Sequence, residues 1–217
     1  MKKEFDIKPN KITEKWPGEL SMFAWEDFLT AIPSPLFVAT SYKSNGKENA
    51  CLQSWATFVG DRESFFCVLA AVNKDGHFYS TLMEKGECVL NFPSRDIYDK
   101  CLSTIEGNGF QDDEISLAGL TSEKAIAVDA PRIKECFLNI ECRLAWTKEL
   151  QPGSNCVTMA LKSCHIAMDT EHYDEEVLGR YGETGYLYNI HSPRNADTGE
   201  SMDDSLGVLS VLKYPGK

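Results

Sequence analysis

The sequence predicts a mainly β protein, with about six strands closing into a barrel-like domain and short α-helices at its periphery. Three features carry that reading. ECFLNIECRLAW (135–146) alternates, setting Leu138, Ile140, Cys142, Leu144 and Trp146 inward and Asn139, Glu141 and Arg143 outward. A QPGS turn follows, and CVTMALKSCHIAM (156–168) returns as the antiparallel partner. Short apolar runs bounded by turn residues recur along the chain. No repeat or linker divides it, so residues 1–217 read as one domain.

Residues 1–20 are polar and read as an arm along the surface. SMFAWEDFLTAIP (21–33) puts Met22, Trp25, Phe28, Leu29 and Ile32 on one helical stripe, with Ser21 as N-cap and Pro33 past the end. PLFVATSY (35–42) is rich in β formers. The Asn-Gly turn in KSNGK then leads into ENACLQSWATFVGD (48–61), a hairpin signal. That second strand is unusual. Leu52, Ser54, Ala56 and Phe58 alternate with Cys51, Gln53, Trp55, Thr57 and Val59, so neither face is cleanly apolar or polar.

SFFCVLAAV (64–72) has the composition of a fully buried strand. HFYSTLMEKG (77–86) spaces Phe78 with Leu82 and Tyr79 with Met83, and Gly86 suits the position just past a helix. ECVLNF (87–92) is another strand, and SRDIYDKCL reads as a short helix opened by a serine cap. Residues 106–130 are loop-rich, with a helical piece near DDEISLAG. Beyond the last strand, TEHYDEEVLG reads as a short helix, and 191–205 holds too little apolar content to pack and reads as mobile.

Charge narrows the function classes. Lys+Arg 22 against Asp+Glu 33 gives a net charge of −11, which argues against a nucleic-acid or anionic-membrane surface, since both need clustered cations. The start MKKEFDIKPNK lacks the apolar core of a leader, and no apolar run approaches the ~20 residues of a membrane span. Eight cysteines lie mostly in apolar runs, with no C-x-x-C and no zinc-ligand spacing, which points to reduced thiols in a cytoplasm and to no metal. Cys51 reads as a small apolar neighbour or a redox-active thiol, and Cys164-His165 as a packed cysteine and a satisfied histidine rather than a catalytic pair.

The chemistry-bearing stretch is AAVNKDGHFYSTL (70–82). A strand ends, a polar loop with Asn73, Lys74 and Gly76 follows, and a helix starts near His77 or Phe78. Free amides at a helix start beside a lysine make an anion site suited to phosphate; the same stretch also reads as a plain solvated loop, and Asp75 counts against an anion. The mixed strand 48–61 suits a barrel rim holding a flat heterocycle by hydrogen bonds and stacking, or an edge or interface strand.

In order, PLFVATSY, NGKENACLQSWATFVGD, FFCVLAAVNKDGHFYSTLMEKGECVLNFPS and DEISLAGLTSEKAIAVDAPRIKECFLNIECRL resemble the flavin reductase-like family with the FMN-binding split barrel, its flavoredoxin branch in particular. The resemblance spans roughly residues 30–168 and rests on the ordered set: Asn49-Ala50, Ser54-Trp55-Ala56-Thr57, Asn73-Lys74, His77–Ser80, Gly86–Asn91, Gly119-Leu120-Thr121, Pro131–Glu135 and Glu141-Cys142. Two departures stand out. GDRES replaces the usual Pro-rich turn, and Phe78 stands where a hydroxyl is common, with Ser80 displaced.

The resemblance implies a six-stranded Greek-key split barrel with peripheral helices, an N-terminal arm and a C-terminal tail, whose His191, Tyr181, Tyr186 and Tyr188 cover the flavin or pack on the surface. It implies bound FMN held by Gln53, Ser54, Trp55, Ala56 and Thr57 against the ring and by Asn73, Lys74, His77, Phe78, Tyr79 and Ser80 at the phosphate, with no catalytic side chain. It implies a homodimer exchanging electrons with a small-molecule donor or acceptor, NADH or NADPH visiting transiently because no G-x-G-x-x-G is present. The alternatives are an electron carrier that never meets a nicotinamide and a flavin-free binding protein on the same barrel.

Overall fold

Seven strands pair in a single antiparallel sheet that forms most of the larger of two units. The computed structural model describes residues 1–173, 180–202 and 206–212. The larger unit runs over 35–187 and 208–217, the smaller over 1–34 and 188–207.

In chain order the larger unit carries β2 (Phe37–Tyr42), β3 (Glu48–Gln53), β4 (Ala56–Asp61), β5 (Ser64–Asn73), α3 (His77–Lys85) and β6 (Glu87–Phe92). A 3-10 turn (Arg95–Ile97), α4 (Tyr98–Ser103), α5 (Glu114–Leu117), β7 (Ser122–Lys124) and β8 (Pro131–Ile133) follow, then β9 (Leu138–Glu149) and β10 (Cys156–Met168). The smaller unit holds α1 (Glu19–Met22) and α2 (Trp25–Thr30); the short strands β1 (Ser34–Pro35), β11 (Leu187–Asn189) and β12 (Leu206–Val208) lie where the chain passes between units.

The sheet order is β3-β2-β6-β9-β10-β5-β4. Hairpins β2–β3 and β4–β5 follow each other directly, and the long stretch carrying α3, β6, α4, α5, β7 and β8 leads on to hairpin β9–β10, the Greek-key arrangement the sequence implies. The two edge strands, β3 and β4, are consecutive in the chain and pair only with β2 and β5. Two residues, Ser54 and Trp55, carry the chain from one edge of the sheet to the other. The barrel is therefore split there.

That geometry resolves the mixed strand 48–61. It is two strands, which raises the count from six to seven, and the break falls where the face pattern is least coherent. Ser54 is buried at 2% exposure and Trp55 takes the left-handed conformation (φ 51°). The Trp55 carbonyl accepts the Ala70 amide at 3.0 Å, so the break itself is tied to β5.

Hairpin β9–β10 forms as the sequence predicts, from Val157 opposite Glu149 to Met168 opposite Leu138. Two details differ. Leu144 faces Leu161 while Trp146 faces Ala160, so Ala145 is an extra residue in β9; this bulge flips Trp146 outward and leaves it 48% exposed. Asn139 and Glu141 do face away from the barrel interior, yet they are buried, because β7 and β8 roof that face. Glu141 accepts the Ile126 and Ala127 amides and Nε of Arg132 at 2.9 Å, and Asn139 donates to Asn91 Oδ1 at 2.9 Å. A second bulge on β10 makes Cys164 the extra residue and exposes it, where the sequence reading had it packed.

Inside the barrel, Phe37, Leu69, Leu90, Met159 and Leu161 are fully buried, and Phe37, Phe58 and Phe92 meet at centroid distances of 5.4–5.9 Å. Helix α3 ends as predicted, with Gly86 left-handed (φ 70°) and its amide on the Leu82 carbonyl. Phe78 and Leu82 face the core, while Met83 is exposed.

In the smaller unit the predicted 21–33 helix is two. Phe23 is extended, and α2 restarts with the Asp27 carboxylate accepting the Ala24 amide at 3.0 Å. Only Phe28 of the predicted stripe is buried; Met22 and Ile32 are exposed. Arg194 lies 3.8 Å over the Phe28 ring and pairs with Glu19, tying the 188–207 stretch to the arm. Positions 174–179 of the helix read at TEHYDEEVLG, and 203–205 of the tail, lie outside the described residues.

Candidate functional site

A pocket of about 280 Å³ opens in the larger unit beside the split. One wall is β3, from Asn49 to Gln53. The opposite wall is the end of β5, from Ala71 to Asn73, continuing through Gly76 into the first turn of α3 at His77 and Phe78. Thr104, Ile105 and Asn108 close the rim.

Local sequence explains each wall. β5 and β10 pass Val72 opposite Val157 and Leu69 opposite Met159, which leaves one extra residue on β5. Ala71 takes it up in a left-handed conformation (φ 57°). The bulge bends β5 into the pocket wall just before the loop. Gly76 caps α3 in an extended conformation without a side-chain bond, so the first amides of this nine-residue helix have no capping side chain.

Behind the pocket lies a buried ion pair. Lys43 is 1% exposed; its ammonium lies 2.7 Å from Glu114 Oε1 and donates to the Gly109 and Asp112 carbonyls at 2.8 and 3.0 Å. Glu114, also 1% exposed, accepts the Ala50 amide on β3 with its other oxygen. On the pocket side, His77 Nδ1 sits 3.9 Å from Glu114 Oε1, and the His77 ring meets the edge of Phe110 at 6.0 Å. Asn49 is 1% exposed, lines the pocket, and its Nδ2 has no hydrogen-bond partner among the described residues. A buried donor without an acceptor is costly, by about 1–3 kcal/mol.

Cys51 also lines the wall. Burial pushes its thiol up to about 11; the Gln53 side chain, donating to Sγ at 2.8 Å, works the other way, and nearby Glu114 adds to the rise. At neutral pH it is a thiol, a soft apolar surface rather than a nucleophile.

The structure gathers Gln53, Asn73, His77 and Phe78 around this pocket. Ser54 and Trp55 form the break beside it. Ala56 and Thr57 have passed onto β4, opposite Leu69 and Val68, away from the lining. Lys74 leaves the loop in the other direction, pairing with Glu149 and donating to the Ser154 carbonyl at 2.7 Å. Tyr79 packs on the core, and Ser80 donates to the His77 carbonyl at 2.9 Å. Sequence reading missed Lys43, Glu114 and Asn108 as site residues. The alternation rule gave no signal for them, because Lys43 and Glu114 meet across a long loop.

These features define a split β-barrel with a pocket beside its opening. Residues 29–182 match the family described as flavin reductase like domain, which is most of the chain. The chain belongs to that family. An uncharacterized protein of Aquifex aeolicus is 28% identical over 116 residues, 52% of this chain and 59% of that one, so the chain spans about three fifths of that relative's length. Among solved structures, nitrilotriacetate monooxygenase component B from Bacillus cereus has the same fold (TM-score 0.73, 18% identity, covering 99% of this chain and 100% of that one). So does a flavoredoxin from Methanosarcina acetivorans (TM-score 0.67, 20% identity, 94% and 96%). No helix among the described residues is long and apolar enough to cross a membrane.

Proposed function

We propose that the protein binds FMN in the pocket between β3 and the start of α3 and works as an oxidoreductase through it. The observation that carries this reading is Asn49, a buried residue of the pocket wall whose amide nitrogen has no hydrogen-bond partner among the described residues. The residues present fit a flavin. Asn49 and the β3 wall offer donors to ring oxygens and nitrogens, the uncapped start of α3 suits a phosphate, and Cys51, Leu52 and Val72 offer apolar surface. When bound, the flavin supplies the redox chemistry, taking electrons from one partner and passing them to another. The chain's own part is to hold the ring, orient it and keep Cys51 neutral beside it.

The leading version takes its electrons from NADH or NADPH, as a flavin reductase. The second is an electron carrier without direct nicotinamide oxidation, favoured by the likeness to a protein named flavoredoxin. All eight cysteines are unpaired, which supports a reducing, cytoplasmic setting. A homodimer is also part of the proposal. Trp146, Ala160, Val68 and Thr57 form one cross-strand row on the outer face of the sheet, next to half-exposed Val59, and such a face can pack on its own copy about a two-fold axis. Light scattering checks this, with a dimer expected and a monomer contradicting it.

An absorbance spectrum of the FMN-loaded protein, followed by anaerobic addition of each nicotinamide, tests the main reading. Bleaching of the flavin band by NADH or NADPH supports the reductase. A bound flavin that neither reduces supports the carrier, and a protein that takes up no flavin overturns both.

A further inference from the structure

We infer that the 104–113 loop is the specificity determinant of this site. Pinned by the β2–β3 turn, it admits a flavin mononucleotide and turns away the dinucleotide. This rests on the proposal that a flavin occupies the pocket with its phosphate at the start of α3. FAD is FMN extended at that phosphate by an adenylate group. Whatever borders the α3 end of the cavity therefore decides between the two.

The border is this loop. Thr104, Ile105 and Asn108 line the pocket rim. The Phe110 ring meets the His77 ring edge-on at 6.0 Å, which sets the loop beside the first turn of α3. It is held by a neighbouring hairpin. Lys43 Nζ donates to the Gly109 and Asp112 carbonyls at 2.8 and 3.0 Å, and Asn45 Nδ2 donates to the Phe110 carbonyl at 2.8 Å. The loop also closes on itself. Asp112 Oδ2 accepts the Gly109 amide at 2.8 Å, and the Gly109 carbonyl accepts the Asp112 amide at 3.1 Å. A Cβ at position 109 would collide with the Asp112 carboxylate, so the turn needs its glycine. Three carbonyls met by a buried ammonium and an amide make a wall, because folding the loop back would strand them.

Charge and size point the same way. Residues 104–113, TIEGNGFQDD, hold Glu106, Asp112 and Asp113 and no lysine or arginine. The two lysines near the pocket are committed, Lys43 to Glu114 and Lys74 to Glu149. A second phosphate leaving the cavity past this loop meets carboxylates and no counter-charge, an unfavourable contact that FMN avoids. The cavity, about 280 Å³, lies at the small end of the roughly 300–1,000 Å³ typical of ligand pockets. Exposed Phe110 offers the opposite possibility, a platform on which adenine could stack, and the experiment distinguishes the two.

The test titrates riboflavin, FMN and FAD into the protein by isothermal calorimetry. The parent should bind FMN at least about tenfold more tightly than FAD, the scale of one unfavourable polar contact. Phe110→Ala removes a ring from the rim, and Asn45→Ala releases the Phe110 carbonyl. Both side chains are exposed, so the urea midpoint should stay near the parent's. Each variant should narrow the FMN-to-FAD ratio about three- to tenfold by strengthening FAD, with riboflavin affinity unchanged. A narrower ratio in either variant supports the inference. A ratio unchanged in both overturns it while leaving flavin binding intact. So does a parent that binds FAD as tightly as FMN or more tightly, the outcome of adenine stacking on Phe110. Failure of all three flavins to bind overturns the occupancy proposal and this inference with it.

Discussion

Hairpin β9–β10 and the 48–61 segment handle buried polar groups in opposite ways. On β9, Glu141 is fully buried and fully met: two backbone amides and Arg132 surround its carboxylate. On β3, Asn49 is as deeply buried, yet its amide nitrogen meets nothing, and nearby His77 has an unbonded Nδ1. Both regions carry polar residues and depart from a regular strand, the hairpin by its bulges and the 48–61 segment by its break at Ser54 and Trp55, so irregularity does not separate them. Satisfaction does. A polar group whose partners are all internal is part of the scaffold, and one left facing a cavity is part of a site.

The largest effects should come from two buried ion pairs of the larger unit. Arg132→Met leaves Glu141 buried without its cation, and Glu114→Ala does the same to Lys43. Each should lower stability by about 3–5 kcal/mol in urea unfolding. They should part on binding: Glu114→Ala weakens FMN affinity because it removes the wall behind His77, while Arg132→Met leaves it near the parent's. Equal losses of affinity in both would erase the distinction between scaffold and site.

Acid should reach the scaffold through Glu141. Burial tends to raise its carboxyl, but the Ile126 and Ala127 amides and Arg132 outweigh that and hold it below the usual carboxylate range. Its contribution is then complete above the unfolded value of about 4.3 and is lost as pH falls through the lower folded one. Glu141→Gln should be less stable at neutral pH and show a flatter stability profile below about pH 4.3. A parent-like acid slope in that variant would mean that other carboxylates dominate.

A smaller effect compares two alanines. Ala71 sits in the site-side bulge at φ 57°, a conformation that costs a non-glycine residue about 1–2 kcal/mol. Ala160 sits buried in extended β10. Ala71→Gly should be neutral or stabilising by up to about 1 kcal/mol, whereas Ala160→Gly should cost about 0.5–1 kcal/mol. Similar losses at both would show that the Ala71 backbone is not strained.

The same contrast explains what could be read from the chain. Clean alternation and the Pro-Gly turn made β9–β10 legible, and the spacing of Phe78 with Leu82 gave α3 with its Gly86 end. The incoherent faces of 48–61 signalled trouble but not its form, because a left-handed residue at Trp55 leaves no mark on periodicity. Bulges hid the outward turn of Trp146. At the site, the loop residues Asn73, His77 and Phe78 were readable as neighbours of a helix start. The direction of Lys74 was not, since Glu149 and Ser154 come from a hairpin about eighty positions on. The Lys43–Glu114 pair depends on the path of the 104–114 loop, which no local pattern encodes.

Asn49 tests the central claim most directly. If its unmet amide exists for a ligand, Asn49→Leu removes a buried orphan donor and should raise the stability of the flavin-free protein in urea unfolding by up to about 1–2 kcal/mol. The same change should weaken FMN binding about tenfold, the loss of a well-placed hydrogen bond. Stability gained and affinity lost in one variant is the result this account expects. A variant that is less stable, yet binds FMN as tightly as its parent, would contradict it.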